Sequence, residues 1–100
     1  MSSTVKASEL PGLVGRESEP SSWMEITQDR VNQFADATND HQFIHIDPEK
    51  AAATPFGGPV AHGFLVLSLL PYLTAEQSES VEGLLMAVNY GSDRVRFIQP

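Results

Sequence analysis

The segment from Val60 to Leu73 constrains the fold most, because most of its residues are apolar. Written as a helix, it places leucine, valine and phenylalanine side chains on every side. A helix that is hydrophobic all round is a buried helix. We therefore expect other elements to wrap it, and we expect a kink or an end near Pro71, whose ring cannot continue a helix.

Strands are the expected wrapping. Leu84–Asn89 and Val95–Ile98 are typical of two strands, either as a hairpin or as one long bulged strand, and Trp23–Ile26 is a candidate for a first strand. These strands are too few to surround a helix, and an incomplete sheet leaves an open, aggregation-prone edge. We therefore expect these residues to be the front part of a larger fold.

A second helix is predicted after Thr27, which is a suitable N-cap. Residues on one helical face recur at the spacing i, i+3, i+4 and i+7, namely Val31, Phe34, Ala35 and Thr38. Asn39 and Asp40 are expected to end this helix.

The remaining segments are predicted to be shorter or irregular. Residues 1–22 are expected to be a flexible lead-in with a short helix over Ala7–Leu10. His41–Ile46 lacks a helical period and is predicted to be a loop. Asp47 and Pro48 are the cap and first residue of another short helix, and Thr54–Pro59 is a turn-rich loop.

Composition excludes several function classes. The chain has 6 Lys and Arg against 13 Asp and Glu, a net charge of −7, and no cysteine. An acidic chain without a basic cluster is a poor nucleic-acid binder, and without cysteine it has no disulfide or thiolate chemistry. The longest apolar stretch falls short of the about 20 residues that span a bilayer, and no signal peptide is apparent. We expect a soluble chain in the cytoplasm.

Asp40 and His45 are the first candidates for chemistry. A carboxylate beside an imidazole can orient it, fix its tautomer and raise its basicity, which makes a pair that activates water. The alternative is that Asp40 is a turn residue and His45 a satisfied polar group, because both residue types are common in turns.

A metal site is the second possibility. His41 and His45 form an H-x3-H pair, and His62 would be a third ligand. Zinc binding of this kind needs both histidines on one helical face, and the break before Asp47 argues against a continuous helix there. No metal site is therefore assigned.

Gly63 opens the apolar helix, directly after His62. Its N–H group belongs to the unpaired first turn, where it could face a developing oxyanion, and the missing side chain allows close approach. The alternative is that Gly63 only permits tight packing. Ser68, further along, is expected to bond its hydroxyl to the preceding turn.

Two segments resemble signatures of the MaoC-like dehydratases, the (R)-specific enoyl-CoA hydratases. Phe34–Pro48 resembles their hydratase motif, and Pro59–Leu65 resembles their second signature at the start of the central helix. The amino-acid sequence of Asp40–His45 is most similar to that of the branch that includes NodN-like proteins. The resemblance covers Trp23–Pro100.

The resemblance implies an α+β hot-dog fold, in which a curved antiparallel sheet wraps a central helix, and it implies a homodimer. Residues 23–100 would be the N-terminal part of such a domain, with an incomplete sheet, and the family chain continues for several more strands.

For function, the resemblance implies reversible addition of water to a trans-2-enoyl-CoA, giving an (R)-3-hydroxyacyl-CoA. Asp40 and His45 would be the catalytic pair, and the Gly63 N–H would bind the thioester oxygen. No metal or organic cofactor is needed. The family usually has Asn-Pro where this chain has Gln42-Phe43, and some members carry a serine where this chain has Pro71.

Two other functions stay open. An acyl-CoA thioesterase of the same fold would need a carboxylate at the thioester carbonyl. A truncated, non-catalytic remnant would bind an acyl chain or a partner through its open edge.

Overall fold

Short helices joined by irregular segments make up most of the computed structural model, which describes residues 4–100. The helices are a 3-10 helix at Ala7–Leu13 and the α-helices α1 Gln28–Thr38, α2 Phe43–Ile46, α3 Pro48–Ala52, α4 Gly63–Ser68 and α5 Leu70–Thr74. Two strands of two residues each, β1 Thr4–Val5 and β2 Ser80–Val81, form a parallel pair. The described chain is therefore mixed helix and sheet, with a sheet of only two short strands.

The chain forms two compact units. One combines the residues up to Trp23 with Leu70–Val95, and the other combines Met24–Leu69 with Arg96–Pro100. Every buried residue of the described range belongs to the second unit: Val31, Ala35, His45, Ala51, His62, Leu65 and Leu69. The candidate site residues belong to this second unit as well.

The first unit is held by few interactions. Thr4 pairs with Ser80 and Val5 with Val81, and the Glu82 N–H donates to the Val5 carbonyl at 2.7 Å. Arg16 and Glu79 form an ion pair at 3.0 Å. A surface ion pair of this kind adds little stability, about 0–1 kcal/mol.

Helix α1 confirms the prediction for this segment. The Thr27 side chain accepts a hydrogen bond from the Arg30 N–H at 3.2 Å, and Val31 and Ala35 are buried. The helix ends at Asn39, whose φ of 62° lies in the left-handed region that asparagine tolerates. Helix α1 packs on α2, and α2 packs on α3.

The prediction of a loop over His41–Ile46 is wrong in part, because Phe43–Ile46 forms the single turn α2. A helix of four residues is too short for a hydrophobic period to show. The start of α3 is as predicted, since the Asp47 side chain accepts from the Lys50 N–H at 3.1 Å and Pro48 is the first helical residue.

The prediction of one buried helix over Val60–Leu73 is also wrong for the described residues. The helix begins at Gly63 and is interrupted at Leu69, so α4 and α5 are separate. Pro71 has no N–H to donate to the Leu67 carbonyl, which accounts for the expected break near it. Phe64 is 69% exposed. No helix within residues 4–100 has the length and apolar character needed to cross a membrane.

The predicted strands are absent from the described residues. Trp23–Ile26, Leu84–Asn89 and Val95–Ile98 are irregular, and many of their apolar side chains are exposed. A strand needs a neighbour to satisfy its backbone groups, and no such neighbour pairs with these segments in residues 4–100. The hot-dog sheet therefore remains a family expectation.

We expect the 100-residue chain to self-associate through Val95–Ile98, because three of its four side chains, Val95, Phe97 and Ile98, are apolar and exposed, with Ile98 at 85%. Sedimentation velocity at increasing protein concentration should show oligomers, or the protein should be poorly soluble. Ile98→Lys should weaken the association. A clean monomer at every concentration would contradict this prediction.

The Thr27 cap gives a second prediction. Thr27→Ala should lower the free energy of unfolding by about 1 kcal/mol, because the Arg30 N–H loses its acceptor. Thr27→Ser keeps the acceptor oxygen and serves as the matched control. Thermal unfolding followed by far-UV circular dichroism measures both, and equal melting temperatures for the two variants would show that the cap contributes nothing.

Candidate active site

Three side chains converge where two sequence segments meet. Asp40 follows the end of α1, His45 lies on α2, and His62 directly precedes α4. One ligand-type atom of each residue lies within 4.8 Å of those of the others. We call Asp40, His45 and His62 the cluster. The sequence paired Asp40 with His45, and the structure adds His62.

The His45 ring is oriented by a backbone carbonyl. Its Nδ1 lies 2.7 Å from the Val60 oxygen, and the residue is 8% exposed. A carbonyl only accepts, so Nδ1 must carry the proton, and Nε2 of the neutral ring is left as an acceptor. Nε2 has no hydrogen-bond partner among residues 4–100. His45 thus presents a nitrogen able to take a proton.

Backbone contacts fix the position of His45 further. The Gln28 side-chain amide donates to the His45 carbonyl at 2.7 Å and to the Asn32 side chain at 2.9 Å. The Val60 N–H donates to the Ile44 carbonyl at 2.9 Å. Val60 therefore uses both its backbone groups on residues of α2, and the chain becomes helical again only at Gly63.

Asp40 is half-exposed, and its carboxylate is held locally. Oδ1 accepts from the Gln42 N–H at 3.3 Å, which is the Asx-turn geometry typical of aspartate. Oδ2 lies 4.0 Å from Nε2 of His62. No hydrogen bond joins Asp40 to His45 among the described residues, so the orienting role expected of Asp40 belongs to the Val60 carbonyl.

His62 was considered in the sequence only as a zinc ligand and as the residue before Gly63. It is 2% exposed, and its ring stacks on His45 with a centroid distance of 3.8 Å and an interplanar angle of 22°. Its Nε2 lies 3.0 Å from the Asp40 carbonyl oxygen. The signal in the sequence was its place inside the second family signature, next to Gly63.

The structure does not assemble the H-x3-H set. His41 instead pairs with Asp36 at 2.9 Å, away from the cluster. Within the cluster, the stacked rings of His45 and His62 direct their nitrogen lone pairs along nearly parallel planes. Zinc needs imidazole nitrogens at about 2.0–2.1 Å with their lone pairs converging on the metal. The cluster therefore fits a metal ion poorly.

Gly63 is the first residue of α4 and lies against Phe97. A Cβ built on Gly63 would lie 2.5 Å from Cδ2 of the Phe97 ring, so only glycine fits without movement. Gly63 and Phe97 also line a cavity of about 420 Å³, together with Phe56, Val60, Val66 and Ile98. Both readings of Gly63 stay open, since the contact shows close packing and the cavity beside it offers room for an apolar ligand.

Two departures from the family pattern have simple structural consequences. Gln42 and Phe43 occupy the N-cap and first position of α2, and the first position of a helix is one that proline favours. In this chain α2 forms with Phe43, and not proline, at its first position. Ser68 donates to the Phe64 carbonyl at 2.7 Å, as expected, although it is exposed.

Comparison with known proteins shows which family the chain is similar to. The profile of the MaoC like domain family matches residues 9–100. The 3-hydroxyacyl-thioester dehydratase Z of Mycobacterium tuberculosis is 52% identical over 92 residues, which are 92% of this chain and 60% of that protein. Nodulation protein N of Rhizobium meliloti is 50% identical over 97 residues, 96% of this chain and 60% of that protein.

A more distant relative is Protein MaoC of Klebsiella aerogenes, 31% identical over 75 residues that make up 75% of this chain and 21% of that protein. The chain spans about 60% of the length of the curated dehydratase Z and nodulation proteins that it matches. The resemblance seen in the two sequence segments is confirmed: the chain belongs to the MaoC-like dehydratase family.

Proposed function

We propose that this protein is an (R)-specific enoyl-CoA hydratase, that is, a 3-hydroxyacyl-CoA dehydratase acting in reverse. The observation that carries the proposal is the His45 ring, oriented by its Nδ1 bond to Val60 and lying in one cluster with the Asp40 carboxylate. The printed name of the Mycobacterium relative, a 3-hydroxyacyl-thioester dehydratase, supports the same reaction class.

In this mechanism, Nε2 of His45 takes a proton from a water molecule that Asp40 helps to hold. The oxygen of the water bonds to C3 of the enoyl thioester, and the C2–C3 double bond becomes an enolate. The protonated His45 then gives a proton to C2, so the ring returns to its starting state and one water is added overall. General base catalysis of this kind contributes about 10²–10⁴-fold to a rate.

Gly63 would stabilise the enolate. Its N–H lies in the first turn of α4, where backbone donors have no partner within the helix. A donor placed where the thioester oxygen becomes negative lowers the barrier. The apolar cavity beside Gly63 would receive the acyl chain.

A thioesterase is less well supported. It would place a carboxylate at the thioester carbonyl, beside the Gly63 N–H. The Asp40 carboxylate lies instead with the two histidines, and its Oδ1 is held by the Gln42 N–H. A non-catalytic binding role is separated from both enzymes by the activity assay below.

The remaining parts of the proposal concern partners. We infer an acyl-CoA thioester substrate, a homodimer, a cytoplasmic location and no requirement for a metal or organic cofactor. They follow from the reaction class and from family membership.

Asp40→Asn and His45→Ala should each remove most hydration of crotonyl-CoA, by about 10²-fold or more, because the base and its carboxylate neighbour act together. Loss of enoyl-thioester absorbance measures the rate. His41→Ala is the matched control, since His41 pairs with Asp36 outside the cluster. Near wild-type rates in both Asp40→Asn and His45→Ala would exclude the pair as catalysts.

If the wild-type chain shows no turnover, the assay is repeated with longer enoyl-CoAs. It is also repeated with this chain fused to the unmatched remainder of the Mycobacterium relative. Turnover in the fusion that disappears in His45→Ala would support the hydratase. A folded fusion inactive on every enoyl-CoA would contradict it and favour the binding role.

Gly63→Ala should lower both stability and hydration. Overpacking against Phe97 costs about 1–3 kcal/mol, and the added methyl crowds the approach to the N–H. Phe97→Ala in the same chain should restore the melting temperature but leave the rate low. If it restores the rate as well, Gly63 serves only packing.

A further inference from the structure

His62 is a buried polar side chain that the proposed reaction does not use. It is the most buried polar residue of the described chain, at 2% exposure. Its ring contacts three neighbours. The centroid distances are 4.9 Å to the Phe34 ring and 3.8 Å to the stacked His45 ring, and Nε2 lies 3.0 Å from the Asp40 carbonyl oxygen. Because His62 is buried and contacts both Asp40 and His45, a change at His62 is expected to alter the geometry of both residues.

We propose that His62 is a positioning residue, which holds both members of the Asp40–His45 pair in their working geometry. The proposal rests on the proposed hydratase function and goes beyond it by assigning a residue that acts without touching the substrate. His62 would act through two contacts, a hydrogen bond to the backbone of Asp40 and a stacking contact with His45.

The hydrogen bond fixes Asp40. The Asp40 carbonyl only accepts, so Nε2 of His62 carries the proton and donates. Asp40 follows Asn39, which has a left-handed backbone with a φ of 62°, in a segment without helical hydrogen bonds. An external donor on the Asp40 carbonyl therefore sets the direction of this peptide. The carboxylate position then follows through the bond from the Gln42 N–H.

The stacking fixes His45. The hydrogen bond from Nδ1 to Val60 orients the ring at one atom and still leaves the ring plane some freedom to tilt. The His62 face, nearly parallel at 22°, removes this freedom and sets the plane in which the Nε2 lone pair points. A misplacement of about 1 Å at a reacting group costs up to about 10²-fold in rate.

The tautomer of His62 agrees with this role. Nε2 donates to the Asp40 carbonyl, and the other ring nitrogen, Nδ1, is buried without any partner in residues 4–100. An apolar side chain of the same shape would avoid this unsatisfied atom. A ring needed only for packing would therefore be better served by phenylalanine, and the Nε2 donor is what phenylalanine lacks.

Two variants separate the effect of the hydrogen bond to Asp40 from the effect of stacking on His45. His62→Phe keeps a stacking ring and removes the donor, whereas His62→Gln keeps an amide donor at about the Nε2 position and removes the ring. The reporter is the Gln42 amide proton, bonded to Asp40 Oδ1. The Ala51 amide, bonded to the Asp47 carbonyl at 2.8 Å, reports whether the helices remain folded.

NMR of the chain tests the hydrogen bond without any need for activity. In His62→Phe, the Gln42 amide should lose its hydrogen-bonded temperature coefficient while the Ala51 amide keeps its own. In His62→Gln, both should be retained. A Gln42 amide that is unchanged in His62→Phe would overturn the proposal, and so would parallel loss of both amides in both variants.

Kinetics provide the second test, in whichever form of the protein shows turnover. His62→Phe should lower kcat by about 10-fold or more with little change in KM, because the substrate contacts remain. In an Asp40→Asn background, the same change should cost much less, since His62 acts through Asp40. Additive losses, or a change confined to KM, would contradict a positioning role. His41→Gln is the matched histidine control.

The two proposals fail in different ways. If the folded fusion to the Mycobacterium segment also leaves every enoyl-CoA unchanged, the hydratase function fails, while the Gln42 amide still decides whether His62 anchors Asp40. If wild-type protein is active and His62→Phe matches it in kcat, the hydratase stands and the positioning role fails.

Discussion

The hydrogen bond from His45 Nδ1 to the Val60 carbonyl is the interaction on which the site depends. Together with the bond from the Val60 N–H to Ile44, it uses both backbone groups of one residue on α2. The bond from Nδ1 also fixes the tautomer of His45. Helix α4 begins at Gly63, so His62 lies outside the helix and in the cluster. One residue with an ordinary apolar side chain therefore sets the chemistry through its backbone, which a reading of side-chain types does not detect.

The sequence predicted the members of the site better than their relationships. Asp40, His45 and Gly63 could be named from residue type and family resemblance, and the first two do lie close together. Their supports could not be named, because a backbone carbonyl at Val60 and the amide of Gln28 leave no mark in residue type. His62 was considered as a third zinc ligand and given no role, since spacing alone does not show that its imidazole stacks on His45.

The same division applies to the fold. Local signals were reliable: the Thr27 and Asp47 caps are present, and Val31 and Ala35 are buried as their spacing predicts. Predictions that depend on distant partners were not. A strand at Val95–Ile98 requires a neighbour, and burial of Val60–Leu73 requires a sheet around it. Strand propensity indicates that a segment can pair with a neighbouring strand, but it does not show whether that neighbour is present.

Three hydrogen bonds join the two family signatures in the part of the chain that the structure describes. The Val60 N–H donates to Ile44, His45 donates to Val60, and His62 donates to Asp40. Each hydrogen bond joins one residue of Phe34–Pro48 to one residue of Pro59–Leu65. Val60 takes part in two of them, as donor through its N–H and as acceptor through its carbonyl. The buried rings of His45 and His62 each find their hydrogen-bond partner in the other signature, and a buried polar group is costly to leave without any partner. The two signatures are therefore one structural unit, in which the second segment orients the catalytic candidates that the first segment carries.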